Sequence, residues 1–162
     1  MCIRDRSRTG VNITPDTVLR LAEIDNIVGI KEASGNLKQI SEIIRKSPEG
    51  FVLLSGDDFM TLPILALGGK GVISVAANVA PHLMKEMFNA FKSGDLEKAR
   101  ELHFKLTPLF EALFIDTNPI PVKKALELMG LAAGKPRMPL VELSPEKTEK
   151  LKAVLKDLGL IS

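Results

Sequence analysis

The segment NIVGIKEASGN, residues 26–36, joins a short apolar run to a polar turn. Residues 26–30 are rich in β-branched side chains, which predicts a buried strand, and Gly35 with Asn36 predicts a turn. Lys31 then follows the strand directly. An amine there could attack a carbonyl group and form an imine if it is uncharged. A structural lysine, paired with a carboxylate or reaching solvent along its stem, remains open from position alone.

Outward from this segment, short apolar runs alternate with amphipathic runs. The predicted strands are residues 26–30, 51–54 and 72–76, and the predicted helices begin at Thr14 and cover residues 37–45, 57–67 and 81–91. Beyond Gly94 the pattern is helical only, over residues 95–114, 119–129 and 144–158. The alternation predicts an α/β fold with a parallel sheet. Because three strands are few for such a sheet, we expect the chain to lack an N-terminal portion.

Composition narrows the classes of protein. The 162 residues are 45% hydrophobic and 26% charged, with 22 basic and 20 acidic side chains interspersed, which gives no signal for nucleic-acid binding or a membrane span. The single cysteine, Cys2, fits a reducing compartment, and we expect a cytoplasmic protein. Residues 1–6 have no strand or helix period and are interpreted as a non-native leader. We therefore expect three regions, 1–6, 7–94 and 95–162.

Active sites of parallel α/β proteins lie at the carboxyl ends of the strands, which selects the residues after each predicted strand. The glycine-rich run 68–71 precedes its strand, so a tight turn is favoured over a phosphate site there. Asp57 and Asp58 could bind a metal, but a helix cap by Asp58 is favoured. His82 and His103 are interpreted as surface or packing residues.

Five motifs together resemble the dihydrodipicolinate synthase family. They are SRTG at 7–10, GIKEASGN at 29–36, LSGDD at 54–58, GVISV at 71–75 and NPIPVK at 118–123. The resemblance implies a (β/α)8 TIM barrel, of which this chain would supply the last three strands and the helical region that follows. It also implies condensation of pyruvate with L-aspartate semialdehyde to 4-hydroxy-tetrahydrodipicolinate in lysine and diaminopimelate biosynthesis, without a metal or organic cofactor.

The resemblance also implies roles for individual residues. Lys31 matches the lysine that forms the imine with pyruvate, and Arg8 matches the arginine that holds the semialdehyde carboxylate. Gly56 and Ile73 match positions that line the pyruvate pocket, where a glycine would let the substrate approach the backbone. Members of the family commonly form homotetramers.

The sequence departs from the family pattern in its proton-transfer residues. It contains no tyrosine, and Ile3 stands where the family carries one. We therefore expect a chain that is inactive alone. Two alternatives remain open: a sister pyruvate-dependent aldolase, such as an N-acetylneuraminate lyase or a 2-keto-3-deoxy-sugar acid aldolase, and a non-catalytic half-barrel that associates with itself.

Overall fold

A four-stranded parallel sheet organises the first part of the chain. The computed structural model describes residues 2–4 and 10–162. Its strands, in sheet order, are β1 (Cys2–Arg4), β2 (Gly29–Glu32), β3 (Val52–Ser55) and β4 (Gly71–Val72). Every neighbouring pair is parallel. The predicted α/β class with a parallel sheet is confirmed.

The strand boundaries differ from the sequence-based ones because pairing between strands decides them. Cys2–Arg4 pairs with β2, with Ile3 opposite Lys31, so the expectation that residues 1–6 contain no strand is wrong for these three residues. Strand β2 begins at Gly29 and includes Lys31, which was expected to follow the strand. The third predicted strand, 72–76, shortens to Gly71–Val72, because β3 ends at Ser55 and offers no further partner.

In the described part of this unit, which spans Met1–Ser74, three helices accompany the sheet. They are α1 (Pro15–Leu21), α2 (Leu37–Lys46) and α3 (Thr61–Ala66). The core between sheet and helices consists of buried aliphatic side chains, namely Val18, Ile30, Ile40, Ile43, Leu53 and Ile64. Burying such side chains contributes on the order of 1.5–3 kcal/mol each. This packing fixes β2, and therefore the backbone of Lys31, against its neighbours.

The second unit, Val75–Ser162, contains helices joined by loops, and no strand. It contains a 3-10 helix at Ala76–Asn78 followed by α4 (Pro81–Lys92), α5 (Leu96–Leu113), α6 (Ile120–Leu128) and α7 (Pro145–Asp157). The four long helices lie within one or two residues of the predicted ranges. Their packing buries Phe110, Leu106, Leu109, Leu151 and Leu155 completely. No helix in the described ranges 2–4 and 10–162 has both the length and the apolar character to cross a membrane.

His103 on α5 gives this unit a pH dependence that can be measured. Its ring meets Phe104 and Phe110 edge to face, and Nδ1 is buried without a hydrogen-bond partner among the described residues. Burial lowers the pKa of His103 from its ordinary value of 6.5. Because the unfolded chain then binds the proton more readily, His103 should favour the folded state above about pH 6.5 and lose that contribution as the pH falls through its folded pKa.

The His103→Leu variant should therefore show a smaller decrease in the free energy of unfolding between about pH 7 and pH 5 than the wild type. Urea denaturation at a series of pH values measures the difference. His82→Gln is the matched control, because His82 is the other histidine of the chain and is exposed. Parallel curves for wild type and His103→Leu would contradict the assignment.

Candidate active site

Lys31 lies in β2, one residue before the carboxyl end of the strand. Its Cα is in register with Ile3 on one side and Leu54 on the other. The side chain is half-buried, whereas Ile30 before it and Glu32 after it are fully buried. Successive side chains of a strand point to opposite faces of the sheet. Lys31 is thus presented on the sheet face opposite Glu32, and it remains partly exposed there.

Gly56 is in contact with the stem of this lysine. A methyl group added at its Cα would lie 2.7 Å from Cε of Lys31 and 2.8 Å from the methyl group of Ala33. Real Cβ atoms do not approach other atoms this closely, so a side chain at Gly56 would displace the lysine. From the sequence, Gly56 was expected to make room for substrate. In the structure it also makes room for Lys31 itself.

If Lys31 forms the imine that the family resemblance implies, Gly56→Ala should reduce its formation by roughly 10- to 100-fold in the full-length protein, because a displacement of about 1 Å at a reacting group has effects of that size. Borohydride trapping with pyruvate measures the rate. Gly71→Ala is the matched control, since its new methyl group would meet Leu54 at an ordinary 3.5 Å. Equal rates in the two variants would contradict the proposed packing role of Gly56.

Glu32 and the turn after it form a hydrogen-bond network that the sequence did not predict. The Ser34 N–H and hydroxyl donate to the two carboxylate oxygens of Glu32 at 3.1 and 2.8 Å. The Asn36 N–H donates to Ser34 Oγ at 3.0 Å, and Asn36 Oδ1 accepts from the Gln39 N–H at 3.2 Å, which caps α2. The EASGN part of the motif therefore connects the lysine strand to the next helix. The sequence offers no local signal for this buried carboxylate, because Glu32 directly follows another charged residue, Lys31.

A second turn follows β3 and places Gly56. The Gly56 N–H donates to the Glu32 carbonyl at 2.7 Å, and the buried Ser55 hydroxyl donates to the Asp57 carbonyl at 2.6 Å. Asp57 Oδ1 accepts from the Phe59 N–H at 3.0 Å. These local bonds hold residues 57–60 in a turn, so α3 begins at Thr61 and not at Asp57 as predicted.

The expected helix cap by Asp58 is wrong, because α3 begins after Met60 and has no side-chain cap bond. The metal alternative for Asp57 and Asp58 gains no support either. Within residues 2–4 and 10–162, histidine, cysteine and carboxylate side chains form no group of three or more that could hold a metal ion.

Ile73 directly follows β4. Its N–H donates to the Ser55 carbonyl at 2.8 Å, which places it beside the strand that leads into Gly56. The side chain is 39% exposed, so it is available at this edge of the sheet. Arg8, the predicted carboxylate clamp, lies outside the described residues. The structure thus brings Lys31 and Gly56 into contact and places Ile73 at the end of a neighbouring strand.

The glycine-rich run 68–71 forms the turn between α3 and β4. Gly68 has φ +104°, a conformation that favours glycine, and the Gly69 N–H donates to the Ile64 carbonyl at 2.8 Å. The Lys70 N–H donates to the Leu53 carbonyl at 2.9 Å, so the backbone donors of both residues are used within the protein. The predicted tight turn is confirmed.

Comparisons with known proteins agree with this architecture. A model of the dihydrodipicolinate synthetase family matches residues 4–158. A 4-hydroxy-tetrahydrodipicolinate synthase from Archaeoglobus fulgidus is 80% identical over 156 residues, which are 96% of this chain and 54% of the relative. The chain therefore spans about half the length of the curated relatives it matches.

Two solved structures are similar in fold as well as in sequence. The dihydrodipicolinate synthase from Aquifex aeolicus has a TM-score of 0.93 at 50% identity, over 98% of this chain and 54% of that chain. The dihydrodipicolinate synthase from Acinetobacter baumannii, complexed with pyruvate, has a TM-score of 0.92 at 41% identity, over 98% of this chain and 55% of that chain.

Proposed function

This chain belongs to the dihydrodipicolinate synthetase family, and we propose that it supplies the imine-forming lysine, Lys31, of a 4-hydroxy-tetrahydrodipicolinate synthase. The reaction is the condensation of pyruvate with L-aspartate semialdehyde. The observation that carries the proposal is the position of Lys31 near the carboxyl end of a parallel strand, with its stem packed on Gly56. The name of the Archaeoglobus relative and the pyruvate complex of the Acinetobacter relative support the same chemistry.

The chemistry follows from a neutral amine. Nζ of Lys31 attacks the ketone carbon of pyruvate, and loss of water gives an imine. Once protonated, the imine withdraws electrons from the pyruvate methyl carbon, which loses a proton and becomes an enamine. The enamine carbon attacks the aldehyde carbon of the semialdehyde and forms the new C–C bond. The semialdehyde amino group then displaces Lys31, which closes the ring and frees the amine. The proposal needs neither a metal nor an organic cofactor, because the imine itself is the electron sink.

We assign roles in this reaction to three further residues of the chain. Gly56 holds the lysine stem and, with Ile73, lines the pyruvate pocket. Arg8 binds the semialdehyde carboxylate, because a planar guanidinium group can donate two parallel hydrogen bonds to a carboxylate. Since the chain contains no tyrosine, phenolic proton transfer would need groups outside these 162 residues.

The proposal extends to the architecture of the whole protein. Strands β2, β3 and β4 would be the last three of a (β/α)8 barrel, with β1 beside them as the preceding strand and the helices after residue 94 as a C-terminal region. Strand-end residues of a barrel converge on one face, which is where its active sites lie. We expect the full-length protein to be a cytoplasmic homo-oligomer, with a tetramer the favoured state, acting on small molecules only.

The experiment that tests the activity compares acceptor substrates in the full-length protein. We expect turnover of pyruvate with aspartate semialdehyde to exceed the cleavage of N-acetylneuraminate or 2-keto-3-deoxy-sugar acids by at least about 10³-fold in kcat/KM. A preference for a sugar acid would favour the sister aldolases. Inertness toward pyruvate in a cooperatively folded protein would favour the non-catalytic half-barrel.

A further inference from the structure

We infer that Glu32 is a positioning residue for Lys31, a role that rests on the imine chemistry proposed above. The carboxylate follows the lysine directly in β2 and is fully buried. Burial of a carboxylate is unfavourable unless hydrogen bonds compensate for the lost water. Both oxygens of Glu32 accept bonds from Ser34, and these bonds offset part of the cost of burying the group.

The Glu32 carboxylate fixes the turn that follows it. Ser34 is held twice, through its backbone N–H and through its hydroxyl, and Ala33 is the one residue between Glu32 and Ser34. Ala33 is therefore tied at both ends. The Ser34 oxygen also accepts from Asn36, which caps α2, so the turn is anchored to a helix on its far side.

The turn, fixed in this way, confines the Lys31 stem. The methyl group of Ala33 and the stem of Lys31 both pack at Gly56, at 2.8 and 2.7 Å from the position that a Gly56 side chain would occupy. The Glu32 carbonyl also holds Gly56 in place, by accepting its N–H at 2.7 Å. Glu32 thus secures both turns beside the lysine, one through its side chain and one through its backbone.

A substitution of Glu32 should affect the Lys31 amine indirectly. Neighbouring side chains in a strand point to opposite faces, so the Glu32 carboxylate acts on Lys31 through the turn and not as a group that touches substrate. Loosening the turn should let the amine sample more orientations. The rate of attack on bound pyruvate should then fall, while pyruvate binding itself changes little, because pre-organisation of the reacting group is what is lost.

The test uses the full-length protein and follows imine formation by borohydride quenching, with the Lys31 peptide quantified at each time. We expect Glu32→Gln and Ser34→Ala each to lower the maximal rate about tenfold, with the half-saturating pyruvate concentration within about twofold of wild type. Ser34→Thr, which keeps the hydroxyl, should restore the rate. Lys38→Arg is the control for a nearby exposed lysine.

Each outcome decides the inference. If Glu32→Gln does not fold, the Ser34→Ala and Ser34→Thr pair carries the test, because it leaves the buried carboxylate in place. Folded variants with wild-type rates, or a loss in Ser34→Ala that Ser34→Thr does not restore, would overturn the positioning role alone. A wild-type protein that forms no pyruvate adduct would refute the proposed function and this inference with it.

Discussion

Replacing Lys31 by arginine in the full-length protein should lower turnover by at least about 10³-fold, a loss typical of removing a nucleophile. Arginine keeps the positive charge and much of the length of lysine. Its guanidinium group does not deprotonate in proteins, however, and so cannot form the imine with pyruvate. Substrate binding that depends only on charge and packing would survive the change, so the loss should appear in kcat. A coupled assay of pyruvate and aspartate semialdehyde consumption measures it.

Lys38→Arg is the matched control for this substitution, because Lys38 is an exposed lysine on α2, the next helix. It should leave turnover within about twofold of wild type, as expected for a charge-conserving change at an exposed position. Substantial turnover in a folded Lys31→Arg protein would show that another group forms the covalent intermediate, or that no imine forms.

Truncation of Phe110 should have the largest effect on stability. Among residues 10–162, Phe110 is the largest fully buried side chain, and it lies on α5 with other buried residues of the helical unit. Phe110→Ala removes that burial and leaves a cavity, which together reduce the free energy of unfolding by roughly 3–5 kcal/mol. That is a large part of the stability of an ordinary domain. Urea denaturation followed by circular dichroism measures the change.

The same helix supplies the control. Phe104 lies on α5 and is 70% exposed, so Phe104→Ala removes the same atoms from a site that is already in water. We expect a change within about 0.5 kcal/mol. Similar losses in the two variants would contradict the burial that places Phe110 in the core.

Most helices begin and end near their predicted bounds because helix signals are local, whereas α3 begins at Thr61 and not at Asp57. The range 37–45 was predicted from its amphipathic pattern, and the structure has Leu37–Lys46 with Asn36 as its cap. Ser144 likewise caps the last helix, α7. Strands were predicted less well, since pairing partners distant in sequence decide where they begin and end. Cys2–Arg4 has no strand pattern of its own and becomes a strand by pairing with β2.

In the candidate site, too, local features could be predicted from the sequence and contacts between distant residues could not. Lys31 could be found from the sequence because a lysine beside a buried apolar run is conspicuous, and the motifs around it identified the family. The contact of Gly56 with the Lys31 stem could not be found in this way, because it joins a residue of β2 to one in the turn after β3. The hydrogen bonds of Glu32 to Ser34 span only two residues, yet nothing in the local pattern says that the carboxylate is buried.

The position of the covalent adduct tests the central claim most directly. The full-length protein is incubated with pyruvate, reduced with borohydride, digested and mapped by mass spectrometry. We predict one reduced pyruvyl group per chain, attached to Nζ of Lys31, and no adduct when pyruvate is omitted. An adduct on another lysine, or none at all in a folded protein, would contradict the assignment of Lys31 as the imine-forming residue.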